Sequence, residues 1–414
     1  MIQIMIRRFG FKNFSSFKQG AEISFEYDGN TPINISHGKH IGTVIGIKGA
    51  NGSGKTNILK ALSFLFCFVT KRMTTKYFNT LENSEEVRIP IESFFFSKEN
   101  IEFYIELEIE CMIYYYGLEI TKEGIKKEIL IRNKNEDGSK DVVFIERYKN
   151  KIVSCISEYQ ELKRIKLKED QSIISLITDF SFNKKMTDLL NIKNFFDLFI
   201  FNVGYDGLKK DFEENTKYIR ASFYKNNLDA LDFVKKIIKN SDDGISDIII
   251  ETVKDASGNN VDFPLFIHKY GNNVDFPLFI HKYGDKEFNL IYSDESMGTK
   301  TLFNVLFNYW AILKSGGLLI VDEFDLHLHA MILPEIINLF TDLSINTKGA
   351  QLIVTTHNTE IIDKLGRYQT LLVNKENNES YCYRLDEIPL LRNDRAISPF
   401  YNKGKIGGVP KAFF

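Results

Sequence analysis

Gly49 to Thr56 read GANGSGKT, which has the spacing G-x-x-x-x-G-K-[ST]. That spacing binds phosphate. Successive backbone N–H groups curl round an anion, the glycines permit the curl, and the following helix points its positive end at the charge. Gly49, Asn51, Gly52, Ser53, Gly54, Lys55, Thr56 and Asn57 are therefore the candidate ATP-binding residues. Lys55 would reach the β- and γ-phosphates, and the Thr56 hydroxyl would bind Mg²⁺.

Two further segments end in polar groups. Gly317 to Glu323 read GLLIVDE, an apolar strand followed by two acids. Carboxylates at the C-terminal end of a buried strand face the crevice where α/β ligands bind. Asp322 is the expected second Mg²⁺ residue, and Glu323 the group that polarises the attacking water. Gln351 to His357 read QLIVTTH, again a buried strand with a polar end. His357 is placed to hydrogen-bond the γ-phosphate and the water. Lys55, Glu323 and His357 form the expected catalytic set, Thr56 and Asp322 the metal set.

Ser293 to Thr299 read SDESMGT ahead of a helical pattern. A Ser and a Gly at a helix start make a second anion nest. One nucleotide does not need two nests from one chain, so Ser296, Gly298 and Thr299 are expected to close on ATP held by a second copy. That predicts a homo-oligomer, at least a dimer, with composite sites. The plainer alternative is an N-cap. His327 and His329 stand at i, i+2 and point apart on a helix, unlike the i, i+4 zinc pair. The basic residues Arg392, Arg395, Lys403, Lys405 and Lys411 read as a solvated tail.

The elements that must position these groups follow from periodicity. Ile4, Ile6, Phe9 and Phe11 alternate as a strand, with Ile23 and Phe25 on a partner strand. Ile41 to Ile47 is a short buried strand before the glycine loop, and Asn57 to Val69 a helix after it. Strand patterns fill Val87 to Lys122. Helical runs are expected at Ser172 to Phe180, Met186 to Phe201 and Leu228 to Lys239. Met297 to Leu313 and Met331 to Leu343 read as helices. Leu318 to Val321, Leu352 to Thr355 and Leu371 to Val373 read as buried strands, and the tail from Arg392 as irregular. Strands alternating with helices predict a mostly parallel core sheet. The expected organisation is 1–125 and 291–414 as two halves of one α/β head, carrying an antiparallel β subdomain. Residues 126–290 form a mixed, largely helical insertion for lid, partner or oligomer contacts. Asn259 to Gly271 recur identically as Asn272 to Gly284. The repeat reads as a tandem duplication of odd length, so one copy is expected to loop out.

Composition sets the outer bounds. The chain has 414 residues and is 43% hydrophobic, enough for a large core. With 53 basic and 55 acidic residues it has no overall basic field to draw it onto nucleic acid. Cys67, Cys111, Cys155 and Cys382 lie far apart, without zinc spacing or a disulfide framework, as in a reducing cytosol. No apolar run approaches the roughly 20 residues that span a bilayer. The expectation is a soluble, cytoplasmic protein without membrane contact.

FKNFSSF (Phe11 to Phe17), GANGSGKTNILKAL, SDESMGTKTLF, LLIVDEFDLHLH and IVTTHN together resemble the bacterial AAA15-type ATPases. These are grouped with the overcoming-lysogenization-defect (OLD) proteins and, more distantly, with structural-maintenance-of-chromosomes (SMC) and Rad-type ATPases. The tail YNKGKIGGVP is similar to that of the RloA or AbiL-type branch. The resemblance covers about Met1 to Ile120 and Ile291 to Phe414. It implies an ABC-like P-loop ATPase head in anti-phage, abortive-infection defence. Such a head responds to a phage-derived trigger and controls a separately encoded, nuclease-like effector. The ABC signature LSGGQ is replaced by Ser296 to Thr299, and no Q-loop glutamine stands between the core halves. The alternative is an SMC/Rad-like ATPase of DNA repair or nucleic-acid processing, although sustained coiled-coil heptads are absent.

Overall fold

The computed structural model describes residues 3–72, 89–110, 112–134, 141–183, 186–204, 207–208, 216–254, 273–326, 328–389, 391–392 and 395–409. In chain order the first elements are β1 (Ile4–Lys12), β2 (Ala21–Ser24), α1 (Ile33–Ser36), β3 (Val44–Gly49) and α2 (Lys55–Val69). Then come β4 (Ile101–Ile109), β5 (Met112–Thr121), β6 (Gly124–Lys134), β7 (Val142–Tyr148), β8 (Lys151–Cys155), α3 (Ile173–Leu176) and α4 (Thr187–Phe196). They are followed by β9 (Phe199–Phe201), β10 (Val203–Gly204), β11 (Gly207–Leu208), α5 (Thr216–Asn226), α6 (Leu228–Ser241), β12 (Ile245–Lys254), β13 (Asn273–Tyr283) and β14 (Lys286–Ile291). The last are α7 (Met297–Ser315), β15 (Leu318–Val321), α8 (Leu333–Thr341), β16 (Gln351–Thr355), α9 (Glu360–Leu365), β17 (Thr370–Glu376), β18 (Glu379–Arg384) and α10 (Ser398–Asn402).

These elements form two compact units. The first comprises 1–208, 312–324 and 334–414, and the second 209–311 and 325–333. Two sheets build the first unit. One has the order β18-β17-β3-β16-β15-β9 and is parallel except at β18. Its central strands are buried on both faces and therefore read as largely apolar runs, interrupted at Lys48 in β3. The other is antiparallel, in the order β2-β1-β4-β5-β6-β7-β8. The protein is thus an α/β fold with a mostly parallel core sheet and an antiparallel β layer. The antiparallel sheet runs on through β6, β7 and β8, past the residue where strand patterning in the sequence gives way to mixed character.

Helix α2 lies between the two sheets, which is why its burial exceeds one apolar stripe. Phe64 stacks on Phe103 of β4 at 5.3 Å between ring centroids, and Phe66 stacks on Phe199 of β9 at 5.5 Å. Gln351 ties the sheets by hydrogen bonds. Its Oε1 accepts from the Ile6 N–H at 2.7 Å, and its Nε2 donates to the Ile6 carbonyl at 2.8 Å. The antiparallel layer carries a buried ion pair, Arg147 with Glu128, at 3.2 Å.

The second unit pairs β12, β13 and β14 antiparallel and packs them with α5, α6 and most of α7. The Tyr224 hydroxyl donates to the Phe303 carbonyl at 2.9 Å inside this core. The second copy of the duplicated segment forms β13, while the first lies outside the described residues. Three expectations shift. The run Ser172 to Phe180 is α-helical only over Ile173–Leu176. The run from Met186 is not one helix, because α4 ends at Phe196 and a three-residue strand follows. The tail holds one short helix, α10, rather than irregular chain alone.

Candidate functional site

β3 runs into the glycine loop, which turns at Gly52 (φ +74°) and Gly54 (φ +114°) before α2 begins at Lys55. A Cβ at Gly49 would stand 2.4 Å from the Val373 carbonyl oxygen. The loop is therefore seated hard against β17. Its far side rests on two serines. Ser380 Oγ donates to the Ser53 carbonyl at 2.6 Å and is hydrogen-bonded with Ser16 Oγ at 2.7 Å. Asn57 Nδ2 donates to Ser16 Oγ at 2.8 Å, so this side chain holds the β1–β2 connection. Phe14 and Phe17 bridge each other there, and both pack edge-on against Phe11. The segment FKNFSSF is thus a buttress for the loop.

Lys55 is buried, and its Nζ donates to the Gly49 and Ala50 carbonyls at 2.9 and 3.1 Å, curled across the loop. Asn51 and Gly52 are exposed at the crest. Ser53 Oγ is buried without a hydrogen-bond partner. A bare hydroxyl inside a phosphate-binding loop is the orphan that a phosphate oxygen would satisfy.

The two remote motifs meet the loop. Thr56 Oγ1 donates to Asp322 Oδ2 at 2.8 Å across 266 residues of chain. The other Asp322 oxygen accepts from Thr355 Oγ1. A hydroxyl and a carboxylate are hard oxygen donors of the kind Mg²⁺ takes together with phosphate and water oxygens. The donor set therefore fits that ion. Glu323 follows in a left-handed turn at φ +53° with its side chain exposed. His357 is exposed on the loop after β16, and its carbonyl accepts from the buried Lys48 Nζ at 2.6 Å. Lys48 also lies over the Tyr401 ring at 4.9 Å, so α10 seals the back of this strand.

Ser296, Gly298 and Thr299 belong to the second unit, at the start of α7. Ser296 Oγ accepts from the Thr299 N–H at 3.1 Å, an N-cap bond made within the chain. Thr299 Oγ1 donates to Asp242 Oδ2 at 3.1 Å. His327 lies outside the described residues, and the His329 side chain accepts from the Met331 N–H at 3.3 Å. Among the described residues no group of three or more His, Cys, Asp or Glu gathers in a metal-binding cluster. No helix among them is long and apolar enough to cross a membrane.

Sequence reasoning missed two residues. Asn202 follows β9 and bonds the backbone of Asp322 at both its N–H and its carbonyl. Thr355 carries the hydroxyl that touches Asp322. No local signal marks either, since each works through a partner far along the chain.

A glycine loop between a buried strand and a helix, facing acids at the end of a parallel strand two places along the same sheet, defines a P-loop ATPase. Residues 44–363 match the family described as "AAA domain, putative AbiEii toxin, Type IV TA system", and the chain belongs to that family. It is thus an ATP-binding and ATP-hydrolysing P-loop protein. No curated protein matches the sequence. Among solved structures the chain is similar to an SMC head bound to the C-winged helix domain of ScpA. That likeness has 14% identity, covers 92% of this chain and 97% of that one, and has a TM-score of 0.42. It is also similar to the SMC head domain from Thermotoga maritima, with 14% identity, 92% and 98% covered, and a TM-score of 0.42.

Proposed function

We propose that the chain binds ATP in the Gly49–Thr56 loop and hydrolyses it with Glu323 as the residue that orients and deprotonates water. The observation that carries this reading is the Thr56–Asp322 hydrogen bond of 2.8 Å, which joins the loop to the acid-bearing strand. Lys55 would leave the loop carbonyls for the β- and γ-phosphates. Thr56 and Asp322 would hold Mg²⁺, which when bound neutralises charge on the phosphates. His357 would hydrogen-bond the γ-phosphate and the water. Ser296, Gly298 and Thr299 would close on ATP held by a second copy, giving a homo-oligomer.

Within its family we place the chain beside the AAA15-type, RloA or AbiL-type branch related to the OLD proteins. In this reading ATP turnover controls a separately encoded effector, nuclease-like in kind, in cytoplasmic anti-phage defence. Between the head halves 1–125 and 291–414, the partner contacts proposed for the stretch 126–290 would come from its part in the second unit, since β6 to β9 complete the two sheets of the head. The family description, with its toxin–antitoxin setting, supports this direction. A net charge of −2 supports contact with a protein partner over a general nucleic-acid grip.

The test is hydrolysis and assembly in parallel. Glu323→Gln should retain ATP, lose turnover and favour a stable oligomer, because only the water-activating group is altered. Parental turnover in this variant would reject the assignment. Added DNA should leave the parental rate unchanged. A DNA-stimulated rate would instead favour the alternative, an SMC/Rad-like ATPase of DNA repair.

A further inference from the structure

The turn after β15 is held by more than the acids it displays. The peptide between Asp322 and Glu323 is gripped at both ends. Its carbonyl accepts from Asn202 Nδ2 at 2.9 Å, and its N–H donates to Thr355 Oγ1 at 2.9 Å. The Asp322 N–H donates to Asn202 Oδ1 at 2.7 Å, and the Phe324 N–H to the Thr355 carbonyl at 2.8 Å. Three successive backbone donors are thus taken by two residues, Asn202 just after β9 and Thr355 at the end of β16. A peptide plane bonded at its oxygen from one side and at its nitrogen from the other cannot rotate without losing both bonds. Glu323 sits at φ +53°, so its side-chain direction depends on that plane being held.

Asn202 is itself anchored. Its N–H donates to the Ile320 carbonyl at 3.2 Å, and the next carbonyl, of Val203, accepts from Ser63 Oγ of α2 at 2.7 Å. The grip on the acid turn is therefore continuous with the helix that follows the phosphate loop.

We propose that Asn202 is a positioning residue for ATP hydrolysis, acting with Thr355 to fix the Asp322–Glu323 peptide and so the direction of the Glu323 carboxylate. The inference rests on the reading of Glu323 given above. Asn202 touches neither phosphate nor water in this role. Its loss leaves the binding loop intact and swings the group that meets the water.

The experiment compares the full-length parent, Asn202→Ala, Asn202→Asp and Glu323→Gln. Each is measured for affinity toward a fluorescent ATP analogue, for single-turnover ATP hydrolysis and for melting temperature. Asn202→Ala should bind nucleotide as the parent does and hydrolyse about 10²-fold more slowly, the cost of a misplacement near 1 Å at the reacting centre. Asn202→Asp keeps the acceptor for the Asp322 N–H and lacks the donor to its carbonyl. Its rate deficit relative to the parent should narrow as pH falls and the introduced carboxyl gains a proton to donate. A purely structural role would weaken binding and melting together, without that pH dependence. A parental rate in Asn202→Ala beside an inactive Glu323→Gln overturns the inference and leaves the reading of Glu323 standing. A parental rate in Glu323→Gln removes that reading itself. Should Asn202→Ala fail to fold, Asn202→Asp decides alone: a deficit independent of pH, or none, overturns the proposal.

Discussion

Replacing Gly54 by alanine should damage the nucleotide site far more than replacing Gly52, although the two glycines sit in one loop. At Gly54 φ is +114°, outside the ordinary left-handed well, and a residue forced there costs about 1–3 kcal/mol. The added Cβ would lie 2.7 Å from Ser380 Oγ and 3.0 Å from both Phe17 Cε2 and Ser16 Oγ. None of the three moves freely. The serine hydroxyls are bonded to each other and Ser380 to the Ser53 carbonyl, while the Phe17 ring is packed edge-on against Phe11 at 5.2 Å. Overpacking of this kind adds about 1–3 kcal/mol. Gly54→Ala should therefore cost about 2–6 kcal/mol in loop conformation, mostly by pushing the buttress away. At Gly52 φ is +74° and nothing lies within 4 Å of the added Cβ. The left-handed penalty of about 1–2 kcal/mol is partly offset there by a stiffer unfolded chain. Titration with a fluorescent ATP analogue, beside thermal melts, reads the contrast. Gly54→Ala should bind at least ~30-fold more weakly than Gly52→Ala, the equivalent of about 2 kcal/mol. Equal affinities and equal melting temperatures would refute the packing argument.

Three further outcomes are expected. Lys55→Ala should abolish detectable ATP binding, since the phosphates lose their cation; an unchanged affinity in the same titration would reject the loop as the site. Arg147→Met should lower stability by about 3–5 kcal/mol in urea unfolding, because Glu128 would be left buried without its charge partner. An unshifted unfolding midpoint would show that the bonds Glu128 accepts from the Tyr116 and Ser172 hydroxyls and the Ile173 N–H suffice. Burial pushes the hydroxyls of Tyr114, Tyr116, Tyr159, Tyr224 and Tyr309 up from their ordinary value. The folded state then holds these protons more tightly than the unfolded one. Stability should be complete below about pH 10 and decline above it, with tyrosinate absorbance from these side chains appearing together with unfolding. Ionisation of all the tyrosines in a still-folded protein would contradict the sign.

What the sequence made legible was local or periodic. The GANGSGKT loop declares itself because glycine, lysine and threonine must stand at fixed offsets for the backbone to cup an anion. Leu318–Val321 and Gln351–Thr355 were legible because a parallel strand buried on both faces leaves an unbroken apolar run. β9 was not. Phe199–Phe201 continue the apolar stretch of α4, and periodicity cannot divide so short a run into helix and strand. Asn202 was hidden with it, since its meaning lies in a partner 120 residues away. The FKNFSSF segment was read as a family mark, while its physical role, a serine and two phenylalanines propping the glycine loop, appears only when β18 brings Ser380 beside Ser16.

The same geometry joins the loop to the acid-bearing turn through one side chain while holding that turn's backbone separately. Thr56 meets one oxygen of Asp322, and Thr355 meets the other while also taking the N–H of Glu323. Asp322 is buried, so each of these bonds matters more than it would in water. In the proposed site, a cation held by Thr56 and Asp322 would displace or share the first bond and leave the second in place. Engaging a cation through Asp322 would therefore not release Glu323, because Thr355 and Asn202 hold the backbone independently of the oxygen that Thr56 meets. Binding at the loop and readiness of the proposed water-activating acid should thus be separable. Variants at Lys55 should act on the first, and variants at Asn202 on the second.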